Sequence, residues 1–202
     1  MSAVQTIRCK IMTNHLSRKE KEQLLSLARK TLKAAVRGRD LPEIDLAAWS
    51  PKLRKPGACF VTLEKNSQLR GCVGTLEPEK PLVISVQERA LAAAFKDYRF
   101  PALREEELKQ VSIEISYLTT PQVLDYDQPG ELADKLRPGV DGVVISDGKR
   151  KATFLPQVWE KLPDREQFIS RLCLKMGVNA DYWRSHQLKV KTYQVEKFRE
   201  GE

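Results

Sequence analysis

The chain has 202 residues, 41% of them hydrophobic, and 35 Lys and Arg against 27 Asp and Glu give a formal net charge of +8. A chain this long buries roughly 70% of the surface its unfolded form exposes, so it can build a core without disulfide staples, and one domain is expected over 1–202, with a core at about 17–198 and room for two sublobes. No stretch approaches the roughly 20 apolar residues of a membrane-spanning helix, and residues 1–16, which alternate in polarity and carry Arg8 and Lys10, do not form the apolar run of a signal peptide.

Ser17 and Glu20 form a capping-box pattern, and Leu24, Leu27, Ala28, Thr31, Leu32 and Ala35 recur at helical spacing until Gly38. Prolines and basic residues break any period from 41 to 56, which predicts a surface loop. Residues 58–63 and 69–76 are β-rich runs around a polar turn at 64–68, predicting a hairpin with a five-residue connection. Pro81 suits a first helical turn, and Val83, Val86, Ala90, Leu91, Ala94 and Phe95 mark a helix rich enough in alanine to lie close against its neighbour.

That helix ends near Lys96, and Asp97-Tyr98-Arg99-Phe100-Pro101 forms a charged, aromatic elbow. Residues 111–117 alternate, with Val111, Ile113, Ile115 and Tyr117 on one face and Ser112, Glu114 and Ser116 on the other. Asp147-Gly148 between 143–145 and 152–155 is a strong hairpin signal. Asp164 opens a helix that Gly177 closes, and 188–198 reads as a final strand. The pattern predicts an α+β fold with a largely antiparallel sheet and flanking helices.

Cys9, Cys59, Cys72 and Cys173 show no CxxC spacing, which predicts free thiols in a reducing cytoplasm. The positive charge is dispersed. Lys52, Arg54 and Lys55 form one knot, Lys149, Arg150 and Lys151 another, and Lys189 with Lys191 a third, but Glu105 to Glu107 and Glu200 with Glu202 interrupt the field. A solvated surface is favoured over an RNA footprint. His15 and His186 lie far from any metal-spaced partner, and no Gly-rich phosphate loop occurs, so neither a metal nor a cofactor is expected.

The segment Leu69-Arg70-Gly71-Cys72-Val73-Gly74-Thr75 carries most of the interest. Glycine weakens a strand interior, so Gly71 and Gly74 point to close approach by a ligand, a backbone or a helix. In an unbulged strand Arg70, Cys72 and Gly74 share a face, where the guanidinium would favour a nucleophilic thiolate. The opposing reading makes Cys72 a small packed hydrophobe. Glu114 is a candidate base, or a salt-bridge partner of Arg70 or Arg99. Asp97 and Arg99 would bind a ligand through a fork or pair with each other. Gln157 could line a cleft, while Trp159 more simply anchors a lobe.

LRGCVGT at 69–75, KDYRFPAL at 96–103, SIEISYLT at 112–119, GVDGVVI at 139–145 and ATFLPQVWEKLP at 152–163 occur in the order that marks the AMMECR domain family. The chain resembles that family over roughly residues 24–198, with Ala152 where a glycine is more usual. The resemblance implies a mainly antiparallel sheet with helices and a smaller second lobe enclosing a cleft. It also implies a place beside Memo-type and radical S-adenosylmethionine proteins, and no settled activity. The expectation is a cleft around Arg70, Cys72, Asp97, Arg99 and Glu114 that takes a small molecule or modified residue, with Cys72 as nucleophile if chemistry occurs. The alternative is a noncatalytic adaptor for RNA or a protein partner.

Overall fold

The computed structural model describes residues 15–201; residues 1–14, with Arg8, Cys9 and Lys10, and Glu202 lie outside them. The first helix, α1 (Arg18–Val36), begins as its sequence dictates: the Ser17 hydroxyl accepts the Glu20 N–H, and the Glu20 carboxylate accepts the Ser17 N–H at 2.8 Å. Its apolar stripe of Leu24, Leu27, Ala28 and Leu32 is buried. The predicted loop at 41–56 is more ordered than expected, because Ser50 caps a single-turn helix, α2 (Pro51–Arg54).

The first lobe is built on a four-stranded sheet. Its strands are β1 (Ala58–Lys65), β2 (Gln68–Gly74), β3 (Val111–Leu118) and, from the far end of the chain, β8 (Val195–Arg199), in the order β2-β1-β3-β8 and all antiparallel. One face carries Cys59, Val61, Leu63, Ile113 and Ile115 into a core covered by α1 and the alanine-rich α3 (Leu82–Phe95). The other face carries Phe60, Thr62, Glu64, Ser112, Glu114 and Ser116. This strict alternation is what burying a single face requires.

Two details of the first hairpin depart from expectation. The connection is two residues, Asn66 and Ser67, with φ of +52° and +61°, rather than five. Both central residues at positive φ make the turn whose twist matches its strands, and asparagine tolerates that region well. The second departure is a register shift: Leu63 faces Gly71, but Glu64 faces Leu69, so Arg70 has no partner on β1. A bulge of this kind re-aims a side chain.

Residues 119–194 form the second lobe around another antiparallel sheet. It comprises β4 (Gln122–Val123), β5 (Gly142–Ser146), β6 (Lys151–Phe154) and β7 (Lys189–Tyr193) in the order β4-β7-β5-β6. Helices α4 (Leu132–Lys135), α5 (Arg165–Met176) and α6 (Tyr182–Ser185) complete it. Asp164 caps α5 through the Gln167 N–H, and Gly177 ends it at φ +83°. Trp159 stacks on Phe168 at 3.6 Å and donates its indole N–H to the Asp141 carbonyl at 2.7 Å, anchoring this core.

The final strand read at 188–198 is two strands in different sheets, divided at Gln194. A chain that leaves one sheet for another strands backbone groups, which must find partners elsewhere. Here they find each other: Thr119, on the outward crossing, donates its N–H to the Gln194 carbonyl at 2.9 Å, and its hydroxyl accepts the Gln194 N–H at 2.8 Å. Beside this lacing, Ala58, Leu118 and Tyr193, with half-buried Phe60, Val144, Leu155 and Val195, form an apolar cluster shared by the lobes.

Candidate functional site

The expected constellation around Cys72 divides into separate pairs. The bulge turns Arg70 onto Glu107, where Nε and Nη2 donate to the two carboxylate oxygens at 3.0 Å each. Only 9% of the Arg70 side chain is exposed. That fork, ahead of the opposing effect of burial, lowers the Glu107 carboxyl from its ordinary value to about 2. The expected pairing of Arg70 with the Cys72 thiol is therefore corrected: the bulge breaks the simple alternation on which that pairing rested.

Asp97 and Arg99 pair with each other at the elbow, with Arg99 Nε and Nη2 at 2.9 and 2.7 Å from the Asp97 carboxylate. The same carboxylate accepts the Cys72 backbone N–H at 2.8 Å, and Arg99 Nη2 reaches the Cys72 carbonyl at 3.4 Å. β2 is an edge strand, so these backbone groups have no strand beyond them. The elbow thus clamps the edge at Cys72. The Arg99 guanidinium, the largest influence, holds the Asp97 carboxyl well below the usual carboxylate range against the effect of burial.

On the face away from the helices, Cys72, Thr62, Glu114 and Arg199 stand side by side across the sheet. Thr62 donates its hydroxyl to the Cys72 sulfur at 3.2 Å, and Glu114 accepts from Arg199 Nη2 at 2.8 Å. At about 4.8 Å per strand, Cys72 and Glu114 are about 10 Å apart at the backbone, with Thr62 between them. A direct proton transfer needs about 3 Å. Neither Arg70 nor Arg99 is the partner of Glu114; Arg199 is, at 2.8 Å.

Both glycines serve close packing. A Cβ at Gly71 would lie 2.2 Å from the Ala93 carbonyl oxygen of α3, and one at Gly74 would lie 2.2 Å from the Phe60 ring. Of the approaches expected there, by a ligand, a backbone or a helix, Gly71 meets the helix, while Gly74 meets the Cys59 backbone carbonyl and, beyond the expectation, the Phe60 ring. Gln157 is exposed on a 3₁₀ turn and does not line the cavity between the two lobes.

That cavity, of about 910 Å³, lies between the lobes. On the first lobe it is bounded by Ala58, Leu118 and the segment Leu76 to Glu79, and on the second by the exposed face of β5, β6 and β7. None of Arg70, Cys72, Asp97, Arg99 or Glu114 lines it. Four lysines do: Lys151, Lys175, Lys189 and Lys191. Lys175 donates to the Thr153 carbonyl at 2.9 Å, and Lys151 reaches Glu77 of the first lobe at 3.4 Å. Among the described residues no group of His, Cys, Asp and Glu is placed to hold a metal ion.

Residues 25–198 match the AMMECR1 family, and the matched stretch takes in both lobes and the cavity between them. The chain belongs to the AMMECR1 family. A protein of Methanothermobacter thermautotrophicus is 35% identical over 92% of this chain and 96% of its own length. Protein MK0488 of Methanopyrus kandleri is 36% identical over 95% and 93%. The crystal structure of the uncharacterised protein PH0010 from Pyrococcus horikoshii is similar with a TM-score of 0.70 at 30% identity, covering 92% of this chain and 94% of that one. In this AMMECR1 member LRGCVGT supplies the clamped edge strand, KDYRFPAL the clamp, and SIEISYLT the central β3. GVDGVVI and ATFLPQVWEKLP supply the second lobe's β5, β6 and anchoring tryptophan.

Of the cavity lysines, Lys151, Lys189 and Lys191 show in the sequence only as members of charge knots, and Lys175 belongs to none. Lys-Val-Lys-Thr-Tyr at 189–193 does alternate, which puts Lys189 and Lys191 on one face. No local signal says that this face meets Lys151 and the end of the other sheet. Glu107 likewise sat in an acidic run that gave no hint of Arg70 as its partner.

Proposed function

We propose that this protein binds a small molecule, or a residue bearing one as a modification, in the cavity between its two sheets, and that Cys72 belongs to a structural clamp outside that cavity. The observation that carries this reading is the cavity itself: about 910 Å³, bounded by both lobes, with a largely apolar lining onto which four lysines converge from the second lobe. Ligand sites are concave, largely apolar and mostly between about 300 and 1,000 Å³. The thiol-enzyme reading loses its helpers, since Arg70 is spent on Glu107, Glu114 on Arg199, and Asp97 with Arg99 on the Cys72 backbone.

The test is a thermal-shift screen of a metabolite library against the wild type and Thr120→Trp, an exposed loop position on the cavity wall. Binding to the cavity predicts ligands that raise the melting temperature of the wild type and lose that effect in the filled variant, while Cys72→Ser keeps it. A library whose effective members act equally on the filled variant would refute the reading.

A further inference from the structure

We infer that the ligand of the interlobe cavity is an organic phosphate monoester, its phosphoryl group held by Lys151, Ser146 and Lys189 and its organic body lying against the apolar wall of the first lobe. This rests on the cavity reading above and names the ligand's chemical class.

The argument starts from strand register. Ser146 of β5 faces Lys151 on β6 and Lys189 on β7, so two ammonium groups flank one hydroxyl across the cavity-facing side of the sheet. At about 4.8 Å per strand, Lys151 and Lys189 are about 10 Å apart at the backbone, which leaves a tetrahedral anion room between their side chains. Lys191 follows on the same face of β7. Lys189 and Lys191 form no ion pair with any described residue. The Ser146 hydroxyl oxygen accepts the Gly148 N–H at 3.0 Å, leaving its own O–H to donate. Like charges gathered on one face repel, and an anion bound between them relieves that repulsion.

The charge balance selects the class. Four ammonium groups line the cavity against the two carboxylates Glu77 and Glu79. A phosphate monoester carries about −1.5 to −2 at neutral pH, which matches that excess, and a single carboxylate does not. Lysine acts on phosphate as a point charge and approaches its oxygens from several sides, without the planar fork that arginine offers to carboxylates and phosphates alike. No arginine lines this cavity among the described residues. Opposite, Leu76, Pro78 and Leu118 of the first lobe offer apolar surface to an organic substituent. Glu77 reaches Lys151 from across the cleft at 3.4 Å, and the phosphoryl group takes that carboxylate's place.

Isothermal titration calorimetry of the full chain tests this with phenyl phosphate, inorganic phosphate, benzoate and phenol as probes. Phenyl phosphate is expected to bind most tightly, to weaken at least about tenfold in Lys189→Gln and further in K151Q/K189Q, and to weaken in high salt. Unchanged melting temperatures would show that these exposed-lysine variants remain folded. Benzoate binding as tightly as phenyl phosphate, or phenyl phosphate binding equally to K151Q/K189Q, overturns the phosphate assignment. If an uncharged probe or library compound binds and Thr120→Trp blocks it while phenyl phosphate does not bind, the class is wrong and the cavity reading survives. If no probe or library compound is sensitive to Thr120→Trp, both fall.

Discussion

Asp97 accepts the backbone N–H of Cys72 at 2.8 Å, so a carboxylate from the elbow occupies the place that a neighbouring strand would take beside β2. Replacing Asp97 with alanine leaves that N–H without its partner and strips Arg99 of its counter-charge. The expected cost is about 1–3 kcal/mol, a fall in melting temperature of about 3–10 °C. Amide hydrogen exchange gives the sharper readout, because protection at Cys72 should drop more than at Val61, in the centre of the sheet. Equal protection in variant and wild type would show that the clamp is dispensable.

The Arg70–Glu107 fork makes stability depend on acid. Glu107 is held near 2 in the folded protein against 4.5 for its unperturbed form. A folded value below the unfolded one means that the contribution is complete above about pH 4.5 and drains away as pH falls towards about 2. Allowing for the solvent that still reaches the pair, it amounts to about 1–2 kcal/mol. Denaturant melts between pH 6 and 3 should therefore lose stability more steeply for the wild type than for Glu107→Gln. Parallel curves would contradict the assignment.

Gly71→Ala should destabilise the first lobe by about 1–3 kcal/mol, the usual penalty for forcing atoms into a filled interior. The obstructing atom is the Ala93 carbonyl oxygen, 2.2 Å from where the new Cβ must go. It belongs to the backbone of α3, so Ala93→Gly should not rescue the variant. Chemical denaturation of the single and double variants distinguishes this from a side-chain clash, which the second substitution would relieve.

The legible parts of this molecule are those where one face of a single element is buried. β3 shows it: Val111, Ile113, Ile115 and Tyr117 alternate because their face meets α1 and α3, and the sequence carries that period without help from elsewhere. The caps of α1 and α5 are legible for the same reason, each being settled within four residues. Arg70 is the opposite case. Its direction depends on a bulge that appears only when β2 is laid against β1, and alternation within β2 alone predicts the wrong neighbour. Gln194 is similar, since nothing local announces that the chain changes sheets there. The candidate site suffers most, because Lys151, Ser146 and Lys189 come from three strands and meet only through their pairing.

Thiol labelling separates a structural Cys72 from a catalytic one. Cys59 is buried in the first core, and burial pushes its thiol up to about 12; Cys173 is buried in the second core, and burial raises its thiol too. Cys72 is half-buried on the edge strand, with Thr62 donating to its sulfur. Because the thiolate is the reactive form, a neutral aromatic disulfide should modify Cys72 well ahead of Cys59 and Cys173 in the native protein. Comparison with a Cys72-only variant assigns the fast phase. The rate itself carries the functional information. A structural Cys72 reacts more slowly than a free thiol in a short peptide, since the strand and Thr62 restrict approach, and Cys72→Ser then leaves ligand binding in the cavity intact. A Cys72 that outpaces the free peptide by orders of magnitude would instead mark an activated nucleophile and return the thiol chemistry to the open face of the first sheet.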